Sequence, residues 1–109
     1  MVDESVLSGV RDYLRALQAD GLAVTFGVLF GSHAAGRPGQ WSDIDLLVVS
    51  PQFDHLKGRA LVDRLWHIAA RTDSRIEPIP CGERQWQEDD SSAIVEIARR
   101  EGVRVSAEQ

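Results

Sequence analysis

Basic residues and cysteine are scarce in this sequence. The chain has twelve Lys and Arg residues and seventeen Asp and Glu residues, which gives a formal net charge of −5 at pH 7. Sequence-independent binding to nucleic acid depends on Lys and Arg that neutralise phosphates, so this charge balance argues against it. The single cysteine, Cys81, excludes an internal disulfide and is typical of a reducing cytosol. We therefore expect a cytoplasmic protein.

Long hydrophobic runs are also absent. No apolar stretch approaches the ~20 residues that a membrane-spanning helix needs, and the first residues lack the basic and apolar regions of a signal peptide. The composition, with 43% hydrophobic and 27% charged residues, is that of an ordinary globular protein. A length of 109 residues predicts a single domain, residues 1–109, built around one core.

Hydrophobic periodicity predicts three helices and four strands in an α/β (α+β) domain. The expected helices cover 4–19, 56–71 and 92–101, and the expected strands cover 22–30, 44–49, 74–79 and 103–105. Pro78 places 74–79 at a sheet edge, because proline lacks a donor for the ladder. Residues 81–90 are predicted to form a polar connector. We expect a small mixed β-sheet with helices covering one face, while the other face stays partly open.

The last predicted helix, over 92–101, carries a set of apolar residues. Its spacing predicts that Ala93, Ile94, Ile97 and Ala98 are buried and that the helix ends at Gly102.

The stretch from Leu29 to Ser50 carries the residues with the clearest chemistry. Gly31 and Ser32 interrupt an apolar strand, and Asp43 and Asp45 open the next one. The strand period of two places both carboxylates on one face. Two neighbouring carboxylates resist joint ionisation unless a cation lies between them. Oxygen ligands of this kind suit Mg²⁺, although two surface aspartates at the end of a turn are an alternative.

This pattern resembles a known signature. Gly31 and Ser32, ten further residues, and then Asp43-Ile44-Asp45 are similar to the GS-x10-DxD motif of the DNA polymerase β-like nucleotidyltransferase superfamily. The small size resembles its minimal nucleotidyltransferase (MNT) branch. The resemblance implies the polymerase β-like fold, a nucleoside triphosphate substrate, with ATP expected, and two Mg²⁺ ions.

The resemblance also implies roles for individual residues. Gly31 and Ser32 would hold the phosphates, although a plain turn with Ser32 as a helix N-cap is an alternative. Asp43 and Asp45 would bind the metal ions. Glu77 would be the third acid, which superfamily members place on the strand after the helix and usually supply as Asp. An exposed acid on an edge strand remains the alternative for Glu77.

Two loop residues need separate interpretations. Family members often carry a basic residue just before the glycine that corresponds to Gly36 and an acid just after it, whereas this chain has Ala35 and Arg37 there. Arg37 is therefore a candidate for the phosphate contact, and a solvent-exposed Arg37 is equally open. His33 is interpreted as a solvent-exposed loop histidine rather than a phosphate ligand.

The function that the resemblance implies is metal-dependent transfer. A nucleoside monophosphate, expected to be AMP, would move from the triphosphate to a hydroxyl of a protein or another acceptor, with release of pyrophosphate. The alternative is an antitoxin-like binding module that masks a helical HEPN-type partner with little or no catalysis, since MNT proteins often pair with HEPN toxins. A DxD glycosyltransferase is a weaker alternative. Apolar residues at Trp66, Ile79 and Trp86 suggest a dimer or partner contact, and we expect no membrane association.

Overall fold

The computed structural model describes residues 2–34, 43–55 and 58–107. Within these ranges the chain forms helix α1 (Glu4–Ala19), strands β1 (Phe26–Phe30) and β2 (Ile44–Ser50), helices α2 (Gln52–His55) and α3 (Arg59–Thr72), strand β3 (Ile76–Gly82), helices α4 (Glu83–Glu88) and α5 (Ala93–Glu101), and strand β4 (Val103–Val105). Among these helices, none is both long and apolar enough to cross a membrane.

The strands form one mixed sheet in the order β3-β2-β1-β4. β1 pairs antiparallel with both β2 and β4, whereas β2 pairs parallel with β3. A parallel pair needs a long crossover, and α2 and α3 lie in this connection. The predicted mixed sheet and the edge position of β3 are both confirmed.

One face of the sheet packs against α1 and α3. Ile44, Leu46 and Val48 alternate along β2 and point into this layer, which confirms the predicted helical cover on one face. Tyr13 is fully buried here, and its hydroxyl donates a hydrogen bond of 2.9 Å to the backbone carbonyl of Leu65. This bond ties α1 to α3.

The opposite face, which was expected to be partly open, carries helices over part of its area. Leu47 and Val49 of β2 form a second cluster with Val95 and Ala98 of α5, and Trp86 of α4 packs against it. The carboxylates of the predicted site share the alternation of Leu47 and therefore lie on this face.

Three predicted element boundaries are wrong. The first strand begins at Phe26 rather than at residue 22. The helix expected over 56–71 corresponds to α3, Arg59–Thr72, and the short helix α2 before it was not expected. Residues 81–90 are not a plain connector, because β3 continues to Gly82 and α4 follows directly.

The start of α4 is stabilised from a distant part of the chain. The Asp54 carboxylate accepts hydrogen bonds from the backbone amides of Arg84 and Gln85, at 2.9 and 3.3 Å, although these residues lie about 30 positions further along. A six-residue polar helix capped in this way leaves no periodic signal in the sequence.

The buried face of α5 differs from the prediction. Val95 and Ala98 are buried, whereas Ile94 and Ile97 are 44% and 39% exposed, and Ala93 is exposed as well. The predicted end at Gly102 is confirmed. Because α5 is apolar on two sides, only its contact with the sheet decides which side is buried.

Of the three apolar residues that were expected at the surface, only one is exposed. Trp66 is 44% exposed, but Ile79 and Trp86 are partly buried against the second cluster. The Trp86 ring lies edge-on to Phe26, with ring centroids 5.6 Å apart, and the Arg99 guanidinium lies over it at 5.8 Å.

Candidate functional site

The candidate site begins where β1 ends and β2 starts. Phe30, the last residue of β1, is the register partner of Asp45. The next residue, Gly31, has a φ of +77° and lies so close to Asp45 that a Cβ there would collide with the carboxylate. Glycine is needed at this turn for both reasons. The turn therefore brings its backbone directly onto one of the predicted metal ligands.

The three predicted acids come together at this end of the sheet. Asp43 is exposed immediately before β2, and Asp45 is half-buried within it. Glu77 on β3 is the parallel register partner of Asp45. Since the two partners lie on adjacent strands and on one face, the sheet itself holds the carboxylates side by side. Their role as ligands stays a prediction.

Burial and neighbouring negative charges raise the pKa values of Asp45 and Glu77. Burial, followed by the negative charge of Asp43, raises the pKa of Asp45, and the charge of His33 opposes this rise. Partial desolvation, the charge of Asp43 and the charge of Asp45 raise the pKa of Glu77. A cation placed between these carboxylates would favour their ionised forms.

This donor set fits a hard divalent cation such as Mg²⁺. Carboxylate oxygens are its usual protein ligands, and it commonly takes one or two of them together with phosphate oxygens. Within 2–34, 43–55 and 58–107, however, no three Asp, Glu, His or Cys side chains converge into a complete metal-binding group. The chain thus offers a part of a coordination shell, which substrate phosphates and side-chain rotation would complete.

The loop residues of the prediction are only partly described. Ser32 is half-buried in the turn that follows β1. Arg37 lies outside the described residues, as do Ala35 and Gly36, so the predicted phosphate contact of Arg37 stays a prediction.

His33 corrects the sequence interpretation. The residue was expected to be solvent-exposed, but it is only 8% exposed, and Ala34 beside it packs against the core formed with α1 and α3. A single histidine in a polar, glycine-containing loop has no periodic context, so no sequence signal indicated its burial.

A turn beside the acids was also missed. The backbone amide of Ile44, between the two aspartates, donates to the carbonyl of Arg75 at 2.8 Å. The Arg75 side chain in turn holds Asp73 through bonds of 2.9 and 2.6 Å. This salt-bridged turn braces the start of β2.

Cys81 takes no part in the site. It is fully buried near the far end of β3, and burial raises the pKa of its thiol to about 11. A thiol with this pKa is not a nucleophile at neutral pH.

Comparison with known proteins agrees with this geometry. The profile of the family described as Nucleotidyltransferase domain matches residues 7–98. A candidate nucleotidyltransferase from Sulfolobus solfataricus has a similar crystal structure, with a TM-score of 0.62 and 17% sequence identity over 92% of this chain and 78% of that chain. No functionally curated protein matches this chain.

The family match spans both the glycine turn and all three acids, and the structural likeness covers 92% of the chain. The chain belongs to the nucleotidyltransferase domain family, of the DNA polymerase β-like superfamily that the GS-x10-DxD motif indicated.

Proposed function

We propose that this protein transfers a nucleoside monophosphate from a nucleoside triphosphate to a hydroxyl group, with release of pyrophosphate. The observation that carries the proposal is the placement of Asp43, Asp45 and Glu77 on one face of adjacent strands, directly beside the Gly31 turn. Membership of the family supports the transferase class. The proposal takes ATP as the donor and AMP as the transferred group.

Each residue of the site has a proposed task. The exposed backbone of Gly31 and the hydroxyl and amide of Ser32 contact the triphosphate, since a glycine permits close approach of phosphate oxygens. Asp43 and Asp45 hold the divalent cations, with Glu77 completing the set. The cations, when bound, supply neutralisation of the phosphate charge and lower the pKa of the acceptor hydroxyl.

The chemistry of the chain's own groups is then positioning and proton transfer. Glu77 accepts the proton of the acceptor hydroxyl. The hydroxyl oxygen forms a bond to the α-phosphorus while the bond from the α-phosphorus to the bridging oxygen breaks. Pyrophosphate leaves with that oxygen. Holding the reacting groups in this geometry supplies a large part of the rate enhancement.

The acceptor is proposed to be a hydroxyl on a protein. We propose that the acceptor or a second subunit completes the pocket. A second copy of the chain and a HEPN-type protein are the partners considered.

A second candidate function is an antitoxin-like module that masks a helical partner with little catalysis. The exposed side chains of Trp66, Ile94 and Ile97 favour this candidate, because large apolar residues at the surface are enriched in protein interfaces.

The transferase proposal is tested with ATP labelled at the α-phosphate, Mg²⁺ and an extract of the source cell. The native chain is compared with Asp45→Asn and Glu77→Gln. Asp63→Asn on α3 is the matched control, since Asp63 is an exposed acid outside the site. We expect label on a macromolecule with the native chain and the control. In both site variants we expect transfer to fall by more than roughly 10–100-fold, which is the cost of losing a residue that only supports a metal ligand.

The remaining outcomes separate the candidates. Mg²⁺-dependent ATP binding and stable capture of a helical partner, without any transfer of label, would favour the masking module. Equal transfer by the native chain and Asp45→Asn would contradict the assignment of the acids.

A further inference from the structure

The turn before β3, residues 73–75, joins the end of α3 to the sheet through its backbone. The Asp73 amide donates a hydrogen bond of 2.9 Å to the carbonyl of Ala69 in α3, and the Asp73 carbonyl accepts one of 3.1 Å from the amide of Ile76 in β3. One residue therefore ends the helix and starts the strand.

The Asp73 carboxylate is held on two sides. Its side chain is only 13% exposed, and the Arg75 guanidinium donates to both of its oxygens, at 2.9 and 2.6 Å. The carboxylate also lies so close to Gly9 of α1 that a Cβ on that glycine would collide with it. Burying a charge costs free energy unless it is paired, so this salt bridge holds the turn in one shape against α1.

The same turn reaches the three acids of the site through one backbone bond. The Arg75 carbonyl accepts a hydrogen bond of 2.8 Å from the amide of Ile44. Ile44 stands between Asp43 and Asp45 in the chain, and the next register pair of the two strands is Asp45 with Glu77. The position of the Arg75 carbonyl therefore bears on how the three acids are spaced.

We propose that Arg75 is a positioning residue, whose salt bridge with Asp73 fixes the carbonyl that holds the Ile44 amide and thereby sets the spacing of the three acids. The inference rests on the proposed nucleotide site. The guanidinium itself lies beside Gly9 of α1, which covers the sheet face opposite the acids. Its effect on ligand binding therefore passes through the backbone and not through contact with the substrate.

The first test needs no ligand. Hydrogen exchange at the Ile44 amide, followed by NMR, reports on its bond to the Arg75 carbonyl, and the Leu47 amide in the middle of β2 serves as the internal reference. Arg75→Ala and Asp73→Ala should each speed exchange at Ile44 relative to Leu47 by about 10-fold, on the scale of one lost charge-assisted hydrogen bond.

The second test is a double-mutant cycle on ligand affinity. Calorimetry measures the Kd for the α,β-methylene analogues of the four ribonucleoside triphosphates with Mg²⁺, and the Tm of each variant is recorded. Arg75→Ala and Asp73→Ala should each weaken binding by about 10-fold or more, the scale on which residues that support metal ligands act. The double variant should bind within about 2-fold of the weaker single variant, because both changes remove the same salt bridge.

A second salt bridge provides the matched control. The Arg64 guanidinium donates to the Asp20 carboxylate at 3.1 Å, at the other end of α1. Arg64→Ala should leave both the exchange ratio and the Kd as they are in the native chain. Arg75→Lys and Asp73→Asn repeat the cycle with milder changes, should the alanine variants fail to fold, since lysine lacks the paired donors of a guanidinium.

A loss of affinity in Arg75→Ala without one in Asp73→Ala would overturn the inference, because Arg75 would then contact the triphosphate itself. Additive losses in the double variant, an unchanged exchange ratio at Ile44, or Kd values that simply follow the Tm would overturn it as well. Tight binding by the native chain with no transfer would contradict the transferase alone, while the cycle still decided the role of Arg75. No binding of any analogue by the native chain would overturn both proposals.

Discussion

At the scale of single residues, Gly31 shows how tightly the turn and the acids are joined. Its positive φ and its contact with Asp45 are separate constraints. Gly21 shares the first constraint, with a φ of +98°, but has open space around its missing side chain. The two glycines therefore separate backbone strain from damage to the site.

Alanine substitution at each glycine gives the first prediction. Both Gly31→Ala and Gly21→Ala should lower the free energy of unfolding by about 1–2 kcal/mol, since an L-residue is strained at positive φ. Gly31→Ala should in addition lose binding of Mg²⁺ and nucleotide, because its methyl group displaces the Asp45 carboxylate. Urea unfolding and calorimetry measure the two effects. Equal nucleotide affinity in the two variants would contradict the close approach of Gly31 to the site.

A second prediction concerns the stability of the acidic cluster. Burial and the charge of Asp43 raise the pKa of Asp45, so its ionised form is less favourable in the folded chain than in the unfolded chain. This penalty is present at pH 7 and disappears as the pH falls below the ordinary range of an aspartate. Asp45→Asn should therefore raise the Tm at pH 7 while it abolishes transfer, and the gain in Tm should shrink towards pH 4.

Thermal unfolding between pH 4 and 8, without divalent cations, measures this difference. Asp63→Asn, the exposed control, should leave the Tm nearly unchanged across the range. A lower Tm for Asp45→Asn than for the native chain at pH 7 would show that the carboxylate stabilises the fold.

At the scale of secondary-structure elements, helices encoded by local sequence patterns were predicted more accurately than helices that depend on contacts with distant segments. Helix α1 was predicted with its observed bounds, because Asp3 caps it locally and one apolar stripe runs along it. Helix α4 was missed, because its cap, Asp54, comes from another element. For helix α5, burial was predicted correctly at Ala98 but wrongly at Ala93, Ile94 and Ile97. Its sequence allows more than one apolar side.

The cap on α4 gives a third prediction. Hydrogen bonds from the amides of Arg84 and Gln85 lower the pKa of Asp54, so its contribution to stability is present above the ordinary aspartate range and is lost as the pH falls through the lowered pKa. Asp54→Ala should lower the Tm at pH 7, and the difference from the native chain should vanish at strongly acidic pH. Nucleotide binding at the other end of the sheet should be unchanged.

Thermal unfolding of the native chain and of Asp54→Ala, followed by circular dichroism from pH 7 to strongly acidic pH, measures the difference in Tm. Asp12→Ala is the control, because Asp12 is an exposed acid on a helix surface. A pH-independent difference in Tm would show that the carboxylate charge is not what stabilises α4.

At the scale of the whole molecule, the acidic site links folding to ligand binding. Three carboxylates gathered at one end of a sheet repel one another, and a cation with a bound triphosphate would relieve this repulsion. Anything that binds only the folded chain stabilises it by mass action. The empty site and the loaded site should therefore differ clearly in stability.

This linkage gives the fourth prediction. Mg²⁺ with a methylene analogue of ATP at about 100 times its Kd should stabilise the native chain by about 2.7 kcal/mol, and EDTA should remove the effect. Asp45→Asn should show no such shift, whereas Asp63→Asn should behave as the native chain does. Thermal shift at several ligand concentrations measures the effect. A shift of equal size in Asp45→Asn would place the ligand elsewhere on the molecule.

The sequence alone determined the features that adjacent residues encode. The helix at 4–19, the strand that opens with Asp43 and Asp45, the preceding Gly31-Ser32 pair and the family itself could all be predicted, because periodicity, capping and short motifs are local. Tertiary structure decided the rest: the register that sets Glu77 beside Asp45, the burial of His33, and the side of α5 that meets the sheet. These features depend on how segments distant in sequence pack against one another. The free energy of that packing cannot be derived from patterns among neighbouring residues.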